Sequence, residues 1–244
     1  MDDIVIVTGS NGDIGRAISE QLMERGCRVV GVDLRNEGCR QWETLIFDLE
    51  ELSQKDAEAK LGNLIQNQIK GGQIIGLVNN AALQIVKPWI ELESDDVIRS
   101  LIVNSVAPFV LSKFACRHMP DKRGVIVNIG SIHSRLTKPG FVAYATSKAA
   151  LEGLTRSMAV ELGSRIRVGA IFPAAIETQM LKAGLAHEPE SYAKLSSYHP
   201  TGKIGNVDEV ACLVSALIRN SIPFASGALW NLDGGIGCRL HDPS

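Results

Sequence analysis

Cysteine is sparse and unpaired in this chain. Its five cysteines, Cys27, Cys39, Cys116, Cys212 and Cys238, are scattered over 244 residues. Their number is odd and none form a CxxC pair, which argues against a disulfide framework or a cysteine zinc site. The histidines His118, His187, His199 and His241 show no metal-ligand spacing, so no metal is expected. An excess of one charge is lacking too. Lys and Arg number 25 against 27 Asp and Glu, a formal net charge of −2. That leaves no electrostatic footprint for nucleic acid or an anionic membrane, and neither partner is expected. No run approaches the roughly 18 apolar residues that span a bilayer. The opening Met1-Asp2-Asp3 is acidic where a secretory leader is basic, and its apolar run stops at Thr8. A cytoplasmic protein with free thiols is expected. Internal repeats, low-complexity tracts and linkers are missing as well. The absence of a GxxxxGK[ST] segment argues against a P-loop nucleotidase.

What is present is an alternation of apolar runs and amphipathic segments. Apolar types make up 45% and charged types 21%, the balance of a globular domain. Strands are expected over Ile4–Thr8, Arg28–Asp33, Thr44–Phe47, Ile74–Asn79, Gly124–Ile129, Arg165–Phe172 and Ala228–Leu232. Most are rich in Val and Ile and apolar at successive positions, which suits strands buried on both faces of a parallel sheet. Between them lie helical patterns such as Ala57, Leu61, Leu64, Ile65 and Ile69. The alternation implies βαβ crossovers and an α/β fold. Length alone allows one domain or two. The acidic clusters after Ser94 and Asn206 read as helix caps, with Ser94 and Asn206 as capping residues. The stretch from Pro173 to about Pro200 is the least regular and reads as a lid or binding loop.

The first strand runs into Thr8-Gly9-Ser10-Asn11-Gly12-Asp13-Ile14-Gly15, and a helix pattern follows. Glycines at a strand-to-helix turn let main chain approach a pyrophosphate, and the helix N-terminus supplies amides and a positive dipole end. The second strand ends at Asp33. A carboxylate there accepts from the adenosine ribose hydroxyls and repels a 2′-phosphate, favouring NAD over NADP. Leu34 follows rather than a basic residue, although Arg35 is one place further on.

Tyr144 and Lys148 stand four apart, on one face of a helix. An ammonium there favours phenolate, so the tyrosine can serve as general base or, in reverse, general acid. Ser131 lies at the end of the strand Gly124–Ile129, where open α/β sheets bind ligands, and its hydroxyl can hold a substrate oxygen. Asn79, Asn80, Ala81 and Ala82 end the fourth strand beside the same crevice.

These residues together resemble the short-chain dehydrogenase/reductase family in its single-domain form. The resemblance spans nearly the whole chain, from Thr8-Gly9 through Asn79-Asn80-Ala81, Asn128, Ser131, Tyr144, Lys148 and Pro173 to Asp233-Gly234-Gly235. It implies a Rossmann-type doubly wound parallel sheet of about seven strands with helices on both faces, in one domain over residues 1–244. It implies NAD-dependent hydride transfer between nicotinamide and an alcohol/carbonyl pair. Tyr144 would be the general acid/base, Lys148 would lower its pKa and bind the ribose, Ser131 would orient the substrate oxygen, and Asn104 would support a water linked to the lysine. Gly9, Asn11, Ile14 and Gly15 would line the diphosphate, with Asp13 in the same cofactor-binding turn, Asp33 the adenosine ribose, and Asp48 and Leu49 the adenine. Asn80, Ala81 and Ala82 would line the ribose and nicotinamide, and Pro173, Ile176 and Thr178 would close over the carboxamide. A homo-oligomer, tetramer or dimer, is also implied.

Two places depart from the family pattern. Asp13 stands where its middle glycine does, and Ala174-Ala175 follow Pro173 where glycine is usual. Asp13 is read as capping the helix rather than facing the pyrophosphate. His133 either faces the substrate or is a partly exposed polar residue. Arg135 and Lys138 read as solvated charges, Trp89 and Trp230 as core or interface, and His187 and Tyr192 as candidate substrate contacts on the lid. The sequence leaves a sugar or polyol dehydrogenase beside two alternatives, an NADPH-dependent 3-oxoacyl thioester reductase and a non-catalytic dinucleotide-binding protein.

Overall fold

A computed structural model describes residues 2–35, 41–179, 181–182, 189–219 and 222–240. Seven strands, β1 (Asp2–Thr8), β2 (Arg28–Asp33), β3 (Glu43–Ile46), β4 (Gly72–Asn79), β5 (Gly124–Ile129), β6 (Ile166–Pro173) and β7 (Leu229–Leu232), form one sheet in the order β3-β2-β1-β4-β5-β6-β7. Every pairing is parallel. All seven expected strands are present, with ends within two residues of those read from the sequence.

Successive residues of β1 feed opposite cores. Ile4 and Ile6 pack with Val30, Leu61, Ile65, Ala107 and Leu111, on the side of α2 (Ala57–Gln68) and α4 (Ala107–His118). Val5 and Val7 pack with Ile18, Leu22, Val210 and Val214, on the side of α1 (Asp13–Glu24) and α7 (Val207–Arg219). Burial on both faces is why these strands read as unbroken apolar runs. Each such side chain contributes about 1.5–3 kcal/mol by leaving water. The helix stripe expected on α2 is buried at Ala57, Leu61, Ile65 and Ile69.

The described residues also form the helices α3 (Ser94–Leu101), α5 (Val142–Leu162) and α6 (Pro189–Tyr198). At α7 the cap is as expected: Glu209 N–H donates to Asn206 Oδ1 at 2.8 Å, and Asn206 N–H donates to Glu209 Oε2 at 2.9 Å. At α3 the cap is Glu93, not Ser94. Asp96, held by Lys87 at 2.7 Å, stands in the first turn and accepts from Glu93 N–H at 3.0 Å, which places the helix start one residue earlier. The Pro173–Pro200 stretch is not all loop, because it contains α6, opened by Pro189. This short helix carries few apolar residues, and its exposed face gives little periodicity to read.

The run Ser94–His118 is one continuous helical segment, and an 18-residue window within it has a mean hydropathy of 1.4, which meets the length and composition demands of a bilayer span. The expectation of no such stretch is corrected here. In the fold this segment lies against the sheet, burying Val103, Ala107, Leu111 and Ala115. Between α3 and α4 the helix widens into a π turn at Ile102–Val106.

Strand order reverses between β1 and β4, so the connections leaving their carboxyl ends depart to opposite faces. That divergence opens a crevice at the carboxyl edge of the sheet.

Candidate active site

The turn after β1 is shaped by two glycines. Gly9 has φ +64°, and a Cβ on it would come within 2.9 Å of Ala81 Cα. A Cβ on Gly15 would come within 1.9 Å of the Gly9 oxygen. Gly12, by contrast, has room, and it precedes α1 without any side-chain cap. Asp13 therefore fits at the first position of α1 without crowding. It does not cap the helix as expected. It stands one residue past the capping position, and its Oδ1 pairs with Arg16 at 3.3 Å while Oδ2 accepts from Gln179 N–H at 2.6 Å. The carboxylate thus bridges the turn to the segment following β6.

Asn11 ties the same turn to the end of β2. Its N–H donates to Asp33 Oδ2 at 2.9 Å and its Nδ2 to the Arg35 oxygen at 2.5 Å. Asp33 Oδ1 accepts from Leu34 N–H at 2.7 Å. Both carboxylate oxygens are held at the crevice edge, and Asn11 Oδ1 is buried with no hydrogen-bond partner among the described residues. Asp48 accepts from Glu50 N–H at 2.9 Å, capping the turn Leu49–Ser53. The Leu49 side chain lies in the core, so only its main chain is left to meet an adenine. The glycine cradle, the uncapped helix start and the fixed Asp33 fit a dinucleotide lying across the β1/β4 crevice.

The β1–β4 seam is closed by side chains. Thr8 Oγ1 accepts from the amides of Asn80 and Ala81 at 3.0 and 2.9 Å. Asn80 Nδ2 donates to the oxygens of Thr8 and Gly9 at 2.9 and 3.1 Å. Asn80 thereby holds the glycine turn in place, while Ala81 and the exposed Ala82 leave the crevice wall low. Deeper down, Asn79 donates to Asn128, Asn128 to Thr155 and Thr155 to the Leu151 oxygen, each at 2.8 Å, joining β4, β5 and α5.

Ser131, Tyr144 and Lys148 converge at the end of β5. Ser131 starts the turn Ile132–Ser134 and accepts from His133 N–H at 3.2 Å. Burial raises the Tyr144 phenol above its ordinary pKa, and a hydrogen bond with Ser131 opposes the rise. Lys148 is 2% exposed and donates to the Ile129 oxygen at 2.7 Å. Burial pushes its ammonium down to about 7. Its Nζ lies 5.7 Å from the Tyr144 ring centroid. The expected lowering of the phenol by Lys148 is not what the geometry shows. Desolvation governs both groups, and the lysine is engaged by main chain.

Asn104 sits in the π turn and is fully buried. Its Oδ1 accepts from Leu83 N–H at 2.8 Å, and its Nδ2 donates to the Leu83 oxygen and to Ser147 Oγ at 2.9 and 2.8 Å. Ser147 in turn donates to the Tyr144 oxygen at 2.7 Å. The exit of β4 is thereby fastened to the turn of α5 that carries Tyr144. A widened turn at a functional position is a recurrent use of π geometry.

After β6, Pro173 and Ile176 are buried, and Ile176 bridges to Gly205. Thr178 Oγ1 accepts from Leu181 N–H at 3.2 Å. Among the described residues only Asp56 and Lys122 combine a side chain with positive φ, so Ala174-Ala175 carry no backbone strain. His133 stacks on Phe141 and meets Tyr144 edge-on, so it belongs to the site. Trp89 is not core: it is 74% exposed. Tyr192 is half-exposed on α6, and His187 lies outside the described residues.

Arg135 is not a free solvated charge. It grips Glu152 through two bonds of 3.1 and 2.9 Å, and Ser134 and Arg156 also donate to that carboxylate. Burial works to raise the Glu152 pKa, and the hydrogen bonds from Arg135, Ser134 and Arg156 outweigh it, leaving it below the usual value. Sequence reading missed Glu152. Its one signal was a carboxylate a helical turn beyond Lys148, on the helix face that carries Tyr144 and Lys148. An open cavity of about 580 Å³, lined by Ser197, His199, Gly235 and Arg239 among others, includes none of Ser131, Tyr144 or Lys148.

A family model described as enoyl-(acyl carrier protein) reductase matches residues 9–237. The chain belongs to the short-chain dehydrogenase/reductase family. This family member is 32% identical to the carbonyl reductase [NADPH] 2 of Sus scrofa over 240 residues, covering 94% of each chain. It is 31% identical to the 3-oxoacyl-[acyl-carrier-protein] reductase of Vibrio cholerae over 241 residues, covering 96% of each. The solved structure of Thermoplasma acidophilum aldohexose dehydrogenase superposes with a TM-score of 0.90 at 29% identity, covering 100% of this chain and 97% of that one. As a short-chain dehydrogenase/reductase it is an oxidoreductase that binds a nicotinamide dinucleotide and acts on small molecules.

Proposed function

We propose that this protein transfers hydride between NAD and a small alcohol/carbonyl pair, with sugars or polyols as its substrate class. The observation that carries the cofactor choice is Asp33, whose two carboxylate oxygens are fixed at the end of β2 by Asn11 and Leu34 amides. A negative charge held there repels a 2′-phosphate and can accept from ribose hydroxyls. Gly9, Gly15 and the start of α1 would hold the diphosphate, and Lys148 the nicotinamide ribose. The nicotinamide, when bound, supplies the hydride acceptor or donor. The protein's own work is to hold the substrate oxygen between Ser131 and Tyr144 and to move one proton at the Tyr144 hydroxyl. Removing a proton from an alcohol requires phenolate, and giving one to a forming alkoxide requires phenol.

A second reading, reduction of a 3-oxoacyl thioester with NADPH, is favoured by the Vibrio cholerae relative. Asp33 with exposed Leu34 opposes it. The four-residue spacing of Tyr144 and Lys148 opposes an enoyl reductase. We also propose a cytoplasmic homo-oligomer, dimer or tetramer, supported by the exposed apolar residues Val106, Phe109 and Val160 on the π turn, α4 and α5; light scattering tests the assembly.

Turnover of sugars, polyols, simple ketones and an oxoacyl thioester with NADH and NADPH side by side tests the reading. NADH is expected to give kcat/KM at least tenfold higher, and Tyr144→Phe to abolish turnover. Preference for NADPH, or full activity in Tyr144→Phe, overturns it.

A further inference from the structure

We propose that His133 sets substrate specificity by binding a second oxygen, a hydroxyl on the carbon next to the reacting one. The proposal rests on the oxidoreductase reading above and narrows its substrate class to hydroxyketones and vicinal diols.

The ring of His133 is fixed on three sides. Its face lies on Phe141, with centroids 4.4 Å apart and planes within 5°. Its Nδ1 is 3.0 Å from Thr137 Oγ1. Its main-chain N–H donates to Ser131 Oγ at 3.2 Å, which ties the turn carrying the ring to the serine. The fourth side meets the phenol. Tyr144 lies 5.8 Å from the His133 centroid and 6.3 Å from that of Phe141, near perpendicular to both. Nearly equal distances to two stacked rings place Tyr144 beside the stack, against ring edges rather than faces.

Among the described residues none hydrogen-bonds Nε2, the other nitrogen of this half-buried side chain. Burial and the Lys138 ammonium hold the imidazole below its ordinary pKa, so it is neutral at pH 7. A neutral imidazole whose other nitrogen faces a threonine hydroxyl can present Nε2 as donor or acceptor, because the hydroxyl rotates to suit. A hydroxyl group has the same duality. The substrate's reacting oxygen lies between Ser131 and Tyr144. The ring of His133 adjoins Tyr144 and stands on the turn that Ser131 opens, so a substituent one carbon from an oxygen held by those two residues lies beside that ring.

A site built to hydrogen-bond a hydroxyl discriminates strongly against the analogue lacking it, because a half-buried polar group is then left unpaired. The test compares 2-hydroxycyclohexanone with cyclohexanone, with NADH, in wild type, His133→Phe and His133→Gln. Phenylalanine keeps the stack on Phe141 and removes the nitrogen. Glutamine restores a polar end.

Wild type is expected to prefer the hydroxyketone at least tenfold in kcat/KM. His133→Phe should bring the ratio within about threefold of one, mainly through KM, and His133→Gln should recover part of it. Titration of the NADH complex with cyclohexane-1,2-diol and cyclohexanol gives a readout independent of turnover, and the diol should bind tighter only when His133 or Gln is present. An unchanged ratio in His133→Phe, or a wild-type ratio of one or less in both turnover and binding, overturns the proposal. Wild type that binds NADH and turns over neither ketone nor any other alcohol or carbonyl overturns the oxidoreductase reading, and the proposal with it.

Discussion

Lys148 Nζ donates to the main-chain oxygen of Ile129 at 2.7 Å, joining the middle of α5 to the last residue of β5. The ammonium is fully enclosed, with a pKa near 7 against an ordinary 10.5. Below pH 7 folded and unfolded chains are both protonated, and the fold carries the whole cost of the buried charge. Between about 7 and 10.5 the unfolded chain holds a proton that the folded one does not, so stability rises with pH. Lys148→Met lacks that rise. In nucleotide-free protein, the stability gained from pH 7.5 to pH 10 should be smaller in Lys148→Met by about 3 kcal/mol. Urea unfolding at the two pH values reads the difference, and equal gains would refute the buried-ammonium account.

Ser131 acts on Tyr144 through the hydrogen bond that opposes the burial-driven rise of the phenol. Ser131→Ala removes that opposition. The pH profile of kcat/KM for alcohol oxidation should move to higher pH as well as fall in height, because phenolate becomes harder to form. A lower profile at unchanged pH would confine the serine to holding the substrate.

Asp13 places a carboxylate beside the diphosphate turn while its Oδ2 serves Gln179 N–H. Asp13→Asn keeps an acceptor for that amide and removes the charge. Binding of NADH, followed by nucleotide fluorescence, should tighten about two- to fivefold, as expected for lifting a partly screened repulsion. Asp13→Ala, which also breaks the link, should not reproduce the full gain. Weaker binding in Asp13→Asn would show the carboxylate to be helpful.

Glu152 holds the turn after Ser131 against α5 through Ser134 and Arg135. Its partners Arg135 and Arg156 are about half exposed, so screening reduces what the cluster contributes. Glu152→Ala should destabilise the protein by about 1–3 kcal/mol. Turnover should fall more than NADH binding does, because the loosened turn carries Ser131 and His133. Equal losses in both would reduce Glu152 to a stability role.

The sheet was legible because its central strands β1, β4, β5 and β6 are buried on both faces and bounded by turn residues. The convergence of Ser131, Tyr144 and Lys148 was legible because strand ends and helical spacing place them without long-range knowledge. What escaped reading depends on distant partners. Asp13 looked like a cap until Gln179, far along the chain, took its oxygen. Ser94 looked like a cap until Lys87 fixed Asp96 over the helix start. Arg135 looked like a surface charge, and Glu152 drew no reading at all, because their pairing needs β5, its following turn and α5 to be assembled first. Lys148 looked like an electrostatic aid to the phenol, and only its depth in the fold shows how strongly desolvation competes.

The widened turn at Ile102–Val106 lets this helix carry one extra residue without turning its two halves out of register. Residues there sweep roughly the rotation that one fewer would sweep in an α-helix. The flanks keep their faces: Asp96 and Ser100 are buried before it, and Ala107 and Leu111 lie in the core after it. Loss of one codon at this turn would let the run from Ser94 to His118 relax into a uniform helix with both flanks nearly in place, while Asn104 would lose the bulge that carries it to Leu83 and Ser147. The same loss inside α4 would rotate everything beyond it by about 100°. A one-residue deletion should therefore cost the fold less at this turn than within α4, and cost the site its Asn104 link.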